Sequence, residues 1–429
     1  MNQSLAGIAE HALRRPLTEE VHARPYEMMP PPARGSFIAM LSGEAGAEAD
    51  WRAVRDLCVR FEVAPPPEGA MHYSADLGAF RVRWERHTEF STYGFIRQEP
   101  FVEPFANPVI ERVPVDWLEQ LPGEALVAIH VAVEDRRDGA RELAELAALF
   151  SGNTVAGSVV AGGSAKAWTD FRIHADGFSR ILVEDLDLRI RQVGRLVQRL
   201  VEIETYRMLA LLAFPAARKH GHAISEIDRR HAGLTERVTE LAGFEDEQGL
   251  LNDLSRLAAE VEHIATATNY RFSAAQAYYA LVERRIEELR EHRVEGVQTF
   301  REFMDRRLAP AMRTCESVRN RLGTLSDRLN RTGSLLRARV NLALEQQNRD
   351  LLKSMNQRAH LQLRLQETVE GLSVVVLSYY SVGLVNYVAK AAKAGGMSVD
   401  TDLVTGLSIP VVVAAVFFGM RQLRKRVTQ

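Results

Sequence analysis

Two cysteines in 429 residues, Cys58 and Cys315, are too few for a disulfide framework or a cysteine-based zinc site, and they fit a reducing compartment. Net charge is nearly absent too: 54 Lys and Arg against 56 Asp and Glu leave −2. The basic excess of a general nucleic-acid binder is missing, so nucleic acid is not an expected partner. The first sixteen residues hold Glu10, His11, Arg14 and Arg15 but no apolar run, and no secretory signal peptide is expected there. Long apolar runs are absent before residue 372, so that part reads as water-soluble. Proline is absent from 312–370, which favours one long uninterrupted helix.

What the chain does have is concentrated at its end. Two apolar stretches, 372–389 and 403–420, each approach the ~20 residues a helix needs to cross a bilayer. Arg421, Arg424, Lys425 and Arg426 follow the second, whereas the loop between them offers only Lys390 and Lys393. Cationic flanks stay in the cytosol, which places the C-terminus inside. Two spans return the chain to the side it came from, so both termini are expected in the cytosol. The lipid bilayer is the first expected partner.

The pattern upstream gives a mixed α+β/α chain in four parts. Residues 1–30 form an N-terminal arm, 31–187 a cytosolic α/β domain, 188–370 a helical bundle and stalk, and 371–429 a transmembrane hairpin with a basic tail. In the second part, strands are expected at 36–41, 80–84, 90–96, 124–133, 154–161, 165–173 and 179–184. Helices are expected at 48–61 and 138–150. Gly162-Gly163-Ser164 marks a hairpin turn with its glycines at positive φ. From Leu188 the strand signal vanishes, and Pro215 and Pro310 punctuate a series of helices at 188–214, 225–241, 248–291 and 294–308. Leu322, Leu325, Leu329, Thr332, Leu336, Val340 and Leu344 step by three and four, close to coiled-coil spacing. That seam fits an intramolecular bundle or an oligomeric stalk equally well, and it runs on into the first apolar stretch.

Chemistry-bearing residues are few. His22, His72, His87, His130 and His174 show no ligand spacing such as His-x-x-x-His. His87 and Glu89, two apart on an expected strand, share a face there and are candidates for ligand binding; a structural hydrogen-bonded pair is the commoner outcome. Within Glu20-Val21-His22-Ala23-Arg24-Pro25, the proline fixes the backbone and Arg24 offers a planar fork to a carboxylate or phosphate. A tie between the arm and the sheet would look the same. Gly157 to Gly162, followed by Gly163-Ser164-Ala165-Lys166, is no phosphate loop, because lysine does not follow the second glycine and a strand comes next. No Gly-x-Ser-x-Gly elbow occurs. An enzyme is therefore not expected, and no cofactor or metal ligand is assigned. In the loop after the first apolar stretch, Gly396, Met397, Ser398, Asp400 and Asp402 form a possible ion-entry loop, since acidic rings at a pore mouth attract cations.

Two resemblances follow from these residues. Glu20 to Pro25, Trp84-Glu85-Arg86-His87-Thr88-Glu89-Phe90, and Leu372-Ser373 with Tyr379-Tyr380 together resemble a bacterial family of predicted membrane-anchored proteins of unknown function. That resemblance covers nearly the whole chain and implies a location in the bacterial inner membrane, without an activity to transfer. In layout, a cytosolic α/β domain, a long stalk, two spans and a basic tail are similar to CorA-type magnesium transporters. Those are pentamers with Gly-Met-Asn after the first span; here Gly396-Met397-Ser398 replaces the asparagine, and Gly395 stands where an aromatic is usual. Two functions are therefore expected in turn. One is cation permeation by a homo-oligomer, with divalent cations entering past Ser398, Asp400 and Asp402. The other is a non-transporting scaffold or sensor whose cytosolic face around Arg24, His87 and Glu89 binds a partner or small ligand.

Overall fold

Apolar and polar patterning in the first half builds eight strands of one mixed nine-stranded sheet. The computed structural model describes residues 10–15, 17–18, 26–136, 141–240, 244–396, 398 and 400–427. The strands are β1 (Ala33–Leu41), β2 (His72–Asp76), β3 (Arg81–Arg86), β4 (Ser91–Gln98), β5 (Glu124–Asp135), β6 (Ala156–Val160), β7 (Ala165–Thr169), β8 (Ser179–Asp185) and β9 (His292–Arg293). They lie in the order β2-β3-β4-β1-β5-β8-β7-β6-β9. The β5–β8 pair is parallel and the others are antiparallel.

Helices cover both faces, as strands apolar on both sides require. On one face α1 (Ala47–Arg60) and the short α2 (Val115–Leu118) close a core of Val54, Leu57, Val82, Trp84, Phe95 and Trp117. Burial of each such aliphatic or aromatic side chain contributes about 1.5–3 kcal/mol. Further along that face α3 (Leu143–Leu149) packs Leu146 with Phe150 against Ala132, Trp168 and Leu182. Gly157 belongs to this packing: a Cβ there would lie 2.1 Å from the Trp168 ring. The opposite face carries α4 (Ile190–Leu211), which lies on β5 and β8.

Helices follow: α5 (Ala213–Glu240), α6 (Phe244–Leu289), α7 (Phe300–Arg307), α8 (Ala309–Ala394, 86 residues) and α9 (Thr401–Val427). Pro215 and Pro310 do not end helices. They sit third in α5 and second in α8, where the first-turn N–H groups have no intrahelical acceptor to lose. β2 escapes the sequence pattern because it is a five-residue edge strand whose core face consists of only Tyr73 and Ala75. The two-residue β9 interrupts the helical half by pairing with β6. Gly162 and Gly163 take the positive φ expected of their turn, 69° and 100°.

Contacts divide the chain into two units. One comprises Met1–Thr239 with Asn252–Thr332 and holds the sheet; the other comprises Glu240–Leu251 with Gly333–Gln429. Seam residues Leu322, Leu325 and Leu329 are buried in the first and Leu336 and Val340 in the second, whereas Leu344 is exposed. The seam is thus used within the chain as far as Val340. α8 and the Thr401–Gln422 part of α9 are long and apolar enough to cross a membrane, with mean hydropathies of 1.6 and 2.2 in their apolar windows.

One buried titratable group fixes a pH dependence for the sheet. His130 on β5 is 3% exposed, stacks on Phe178 at 3.9 Å and lies 3.0 Å from Ser36 Oγ through Nδ1. Burial pushes its pKa down from 6.5 to about 4. Below pH 6.5 the unfolded chain takes up a proton that the folded chain refuses, so stability falls from pH 6.5 to about 4, by about 3 kcal/mol in full. Thermal melts of the full chain in detergent at pH 7.5 and 5.0 should show this loss, and His130→Asn should flatten that part of the slope.

Candidate functional site

The hairpin of β3 and β4 carries the densest chemistry. Period-two alternation sends Trp84 and Arg86 to the α1 face and Arg83 and Glu85 to the α4 face. Arg86, 2% exposed, donates from Nη1 to Asp50 Oδ2 at 2.8 Å and to Ser42 Oγ at 2.7 Å. Ser42 and Ser91 hydroxyls donate to the same Asp50 oxygen at 2.6 and 2.8 Å, and Tyr93 reaches Oδ1 at 3.3 Å. Burial, with the Asp50 carboxylate beside it, holds the Tyr93 hydroxyl far above its ordinary range. Each member of this network is satisfied, the condition under which a buried ion pair is tolerated.

His87 and Glu89 sit in the turn between β3 and β4, not on a strand, because His87 N donates to Phe90 O and closes the hairpin there. Their side chains part company. Glu89, 5% exposed, accepts from Arg271 Nη1 and Nη2 at 3.2 and 2.7 Å and from Tyr278 Oη at 2.8 Å, all on α6. Burial and this carboxylate push the Tyr278 hydroxyl well up. His87 instead stacks flat on Phe90 at 4.2 Å. Glu89 is thus a latch between the turn and α6, and only His87 of the pair borders the space beside α4.

That space is a cavity between the sheet and α4 of about 50 Å³, enough for a few waters or a very small ligand. Phe37, Val127 and Ile129 form its floor, Val201, Thr205 and Tyr206 of α4 its roof, and Arg83, Glu85 and His87 one wall. It exists partly because Gly94 has no side chain; a Cβ there would stand 2.9 Å from the Phe37 ring. Both carboxylates of the lining are paired, Glu85 with Arg83 and Glu202 with Arg285. Gln198 Nε2 donates to Glu202 at 2.7 Å. An apolar floor beneath balanced charges and hydroxyls suits a small molecule with one polar end.

The other sequence candidates fall elsewhere. His22, Arg24 and Met397 lie outside the described residues. Beside the first two, the arm is seated on α4: Arg195 covers the Tyr26 ring at 4.9 Å, and a Cβ on Gly194 would stand 1.6 Å from Glu27 O. In the loop before α9, Asp400 Oδ1 accepts from Asp402 N and Leu403 N at 3.1 and 3.4 Å, so Asp400 caps that helix. Asp402 stands in the first turn, where the helix dipole favours an acid. Capping accounts for both acids without an ion. Gly396, at φ 92°, and Ser398 line the same loop. No group of three or more His, Cys, Asp or Glu fit to hold a metal occurs among the described residues.

One constellation has no counterpart in the sequence reading. Ser151 Oγ lies 3.3 Å from His174 Nδ1, and His174 Nε2 lies 3.0 Å from Asp170 Oδ2. It lacks the rest of an acyl-transfer site. The N–H groups of Ser151, Gly152 and Asn153 are bonded to Ala148, Ala147 and Phe150 carbonyls, leaving none of the three for an oxyanion. His174 Nε2 also misses hydrogen-bond geometry with Asp170. Asp170 instead staples the loops, accepting from Asn153 Nδ2 at 2.8 Å and Arg172 N at 3.2 Å.

The hairpin motif around Trp84 to Phe90 and the paired C-terminal helices are the features of the resemblance to an uncharacterised membrane-anchored family. A family described as "Protein of unknown function (DUF3422)" matches residues 9–427. The chain belongs to the DUF3422 family. The match spans the sheet, the helices and the apolar hairpin together. No curated protein and no solved structure matches the chain. The resemblance in layout to CorA-type transporters finds no support in these comparisons.

Proposed function

We propose that this DUF3422 chain is a membrane-anchored sensor or scaffold whose sheet domain binds a small ligand in the cavity beneath His87. The observation that carries this reading is the cavity itself, an apolar floor walled by internally paired charges at the foot of the Trp84 to Phe90 hairpin. Glu89 gives the site a route outward, since the same four-residue turn that presents His87 is latched to α6 through Arg271 and Tyr278. A ligand that shifts His87 changes the geometry of that latch. In this reading the anchor is the α8–α9 hairpin in a bacterial inner membrane, and Arg421, Arg424, Lys425 and Arg426 at the end of α9 favour both termini in the cytosol.

Native mass spectrometry of the full chain, extracted from membranes in mild detergent, tests the reading. The wild type should carry a stoichiometric small-molecule adduct. Thr205→Leu, which fills the cavity from α4, should lose the adduct while its melting temperature stays within a few degrees. A wild-type chain that emerges bare, or an adduct retained by Thr205→Leu, rules the cavity out as a ligand site.

A further inference from the structure

The apolar part of α8 contains the wrong residues for a helix surrounded by lipid. Its stretch 372–389 spans about 27 Å at 1.5 Å per residue, nearly the whole ~30 Å hydrocarbon core. Glu370 and Lys390 bracket it, so it has little freedom to slide. Its midpoint falls at Tyr380 and Ser381. Tyrosine belongs at the membrane interface, ~15 Å from this depth, and a side chain reaching about 6 Å does not bridge that distance. Yet Tyr379 and Tyr380 are 78% and 66% exposed. Their rings meet edge to face at 5.9 Å, and no hydrogen bond to either hydroxyl is found among the described residues. Ser373, Thr405 and Ser408 bond back to carbonyls of their own helices at 2.7–2.9 Å. The long, rigid tyrosine side chain has no such recourse.

Tyr379 also lies on a regular stripe. Leu365, Val369, Leu372, Val376, Tyr379 and Gly383 are spaced by four, three, four, three and four, the heptad seam of a parallel coiled coil. The first five are 44–78% exposed. The seam changes character where it enters the apolar stretch. In water it is Leu365 and Val369, which need cover; at membrane depth it becomes Tyr379 and Gly383, the hydroxyl-bearing and small residues by which helices associate in lipid. Nothing in the chain lies within 4 Å of a Cβ built on Gly383, so no contact within the chain explains its small size.

We propose that this seam joins α8 to α8 of a second copy of the chain, side by side and parallel, with Tyr379 hydroxyls bonding across the axis and Gly383 letting the backbones approach. The inference rests on the reading of α8 and α9 as membrane spans. A second copy is the occupant because copies inserted in the same orientation place Tyr379 at the same depth, and a phenol both donates and accepts. Lipid offers neither group there, and it leaves Leu365 and Val369 uncovered in water.

Energy transfer between donor- and acceptor-labelled full-length chains in phosphatidylethanolamine–phosphatidylglycerol vesicles, across a range of protein-to-lipid ratios, tests this. The wild type should associate. Tyr379→Phe should weaken association roughly three- to tenfold, Gly383→Leu should abolish it, and Leu384→Ala, off the seam, should leave it unchanged. A monomeric wild type at every ratio, or Gly383→Leu associating as tightly as the wild type, overturns the proposal. Alkaline carbonate extraction of the same vesicles separates this from failure of the span reading, in which case the wild type itself would leave the membrane.

Discussion

Arg86→Ala is expected to cost the sheet domain about 3–5 kcal/mol, because it leaves the Asp50 carboxylate buried without a cation. Asp50 is fully buried, and three of its four donors would remain, namely Ser42, Ser91 and Tyr93. Hydroxyls do not replace a guanidinium at zero exposure. Arg86 also bonds the carbonyls of Gly43 and Thr88, so its loss frees both the turn and the loop before α1. Removing the charge from both sides, as in Arg86→Met with Asp50→Leu, should recover much of the deficit, since well-packed apolar pairs often match a buried ion pair. Denaturant unfolding of the full chain, followed by the fluorescence of buried Trp84 and Trp117, measures both variants against the wild type. A single variant costing no more than the double one would remove the pair from its structural role.

Arg271→Ala carries the second-largest expected effect, about 2–3 kcal/mol. Glu89 would keep only the hydroxyls of Tyr278 and Tyr270, and no cation, in a buried site. The loss is smaller than at Arg86 because Arg271 is 27% exposed, so water can reach part of the vacated space. Glu89→Gln should cost less still, as an amide retains the Tyr278 bond. The informative readout is local. Amide exchange of residues 87–92 should rise in Arg271→Ala well beyond what global destabilisation explains, because the latch holds the turn and not the strands. Uniform exchange across β3, β4 and the turn would make Glu89–Arg271 an ordinary surface pair.

Periodicity revealed much of this architecture. Residues 48–61 carry apolar side chains at helical spacing, and α1 covers 47–60; residues 124–133, apolar but for Glu124 and His130, form most of β5. What periodicity missed has physical causes. β2 is a short edge strand that buries only Ala75 and part of Tyr73, and Pro215 and Pro310 look like breakers only until their place in a first turn is known. The site was half legible. The string Trp84 to Phe90 stood out by composition, but one residue of shift separates a strand from a turn, and it decided that His87 and Glu89 diverge. Arg271 and Tyr278 lie 182 and 189 positions from Glu89, and no local signal pairs them. The cavity is a void, and a void between β-strands and a helix leaves no residue pattern; Gly35 and Gly94 beside Phe37 are its only trace. Asp400 was legible as an acid before a helix, which is a capping signal as much as an ionic one.

Substituted-cysteine labelling tests most directly whether α8 and α9 hold a cytosolic sheet domain at a membrane. Cys58 and Cys315 are buried, which keeps the background low. With a membrane-impermeant maleimide on intact cells, Ser398→Cys in the interhelical loop should be labelled and Gln429→Cys only after the membrane is opened. Both chains should remain in the pellet after alkaline carbonate. Labelling of Gln429→Cys in intact cells, or release of the chain by carbonate, would contradict the account.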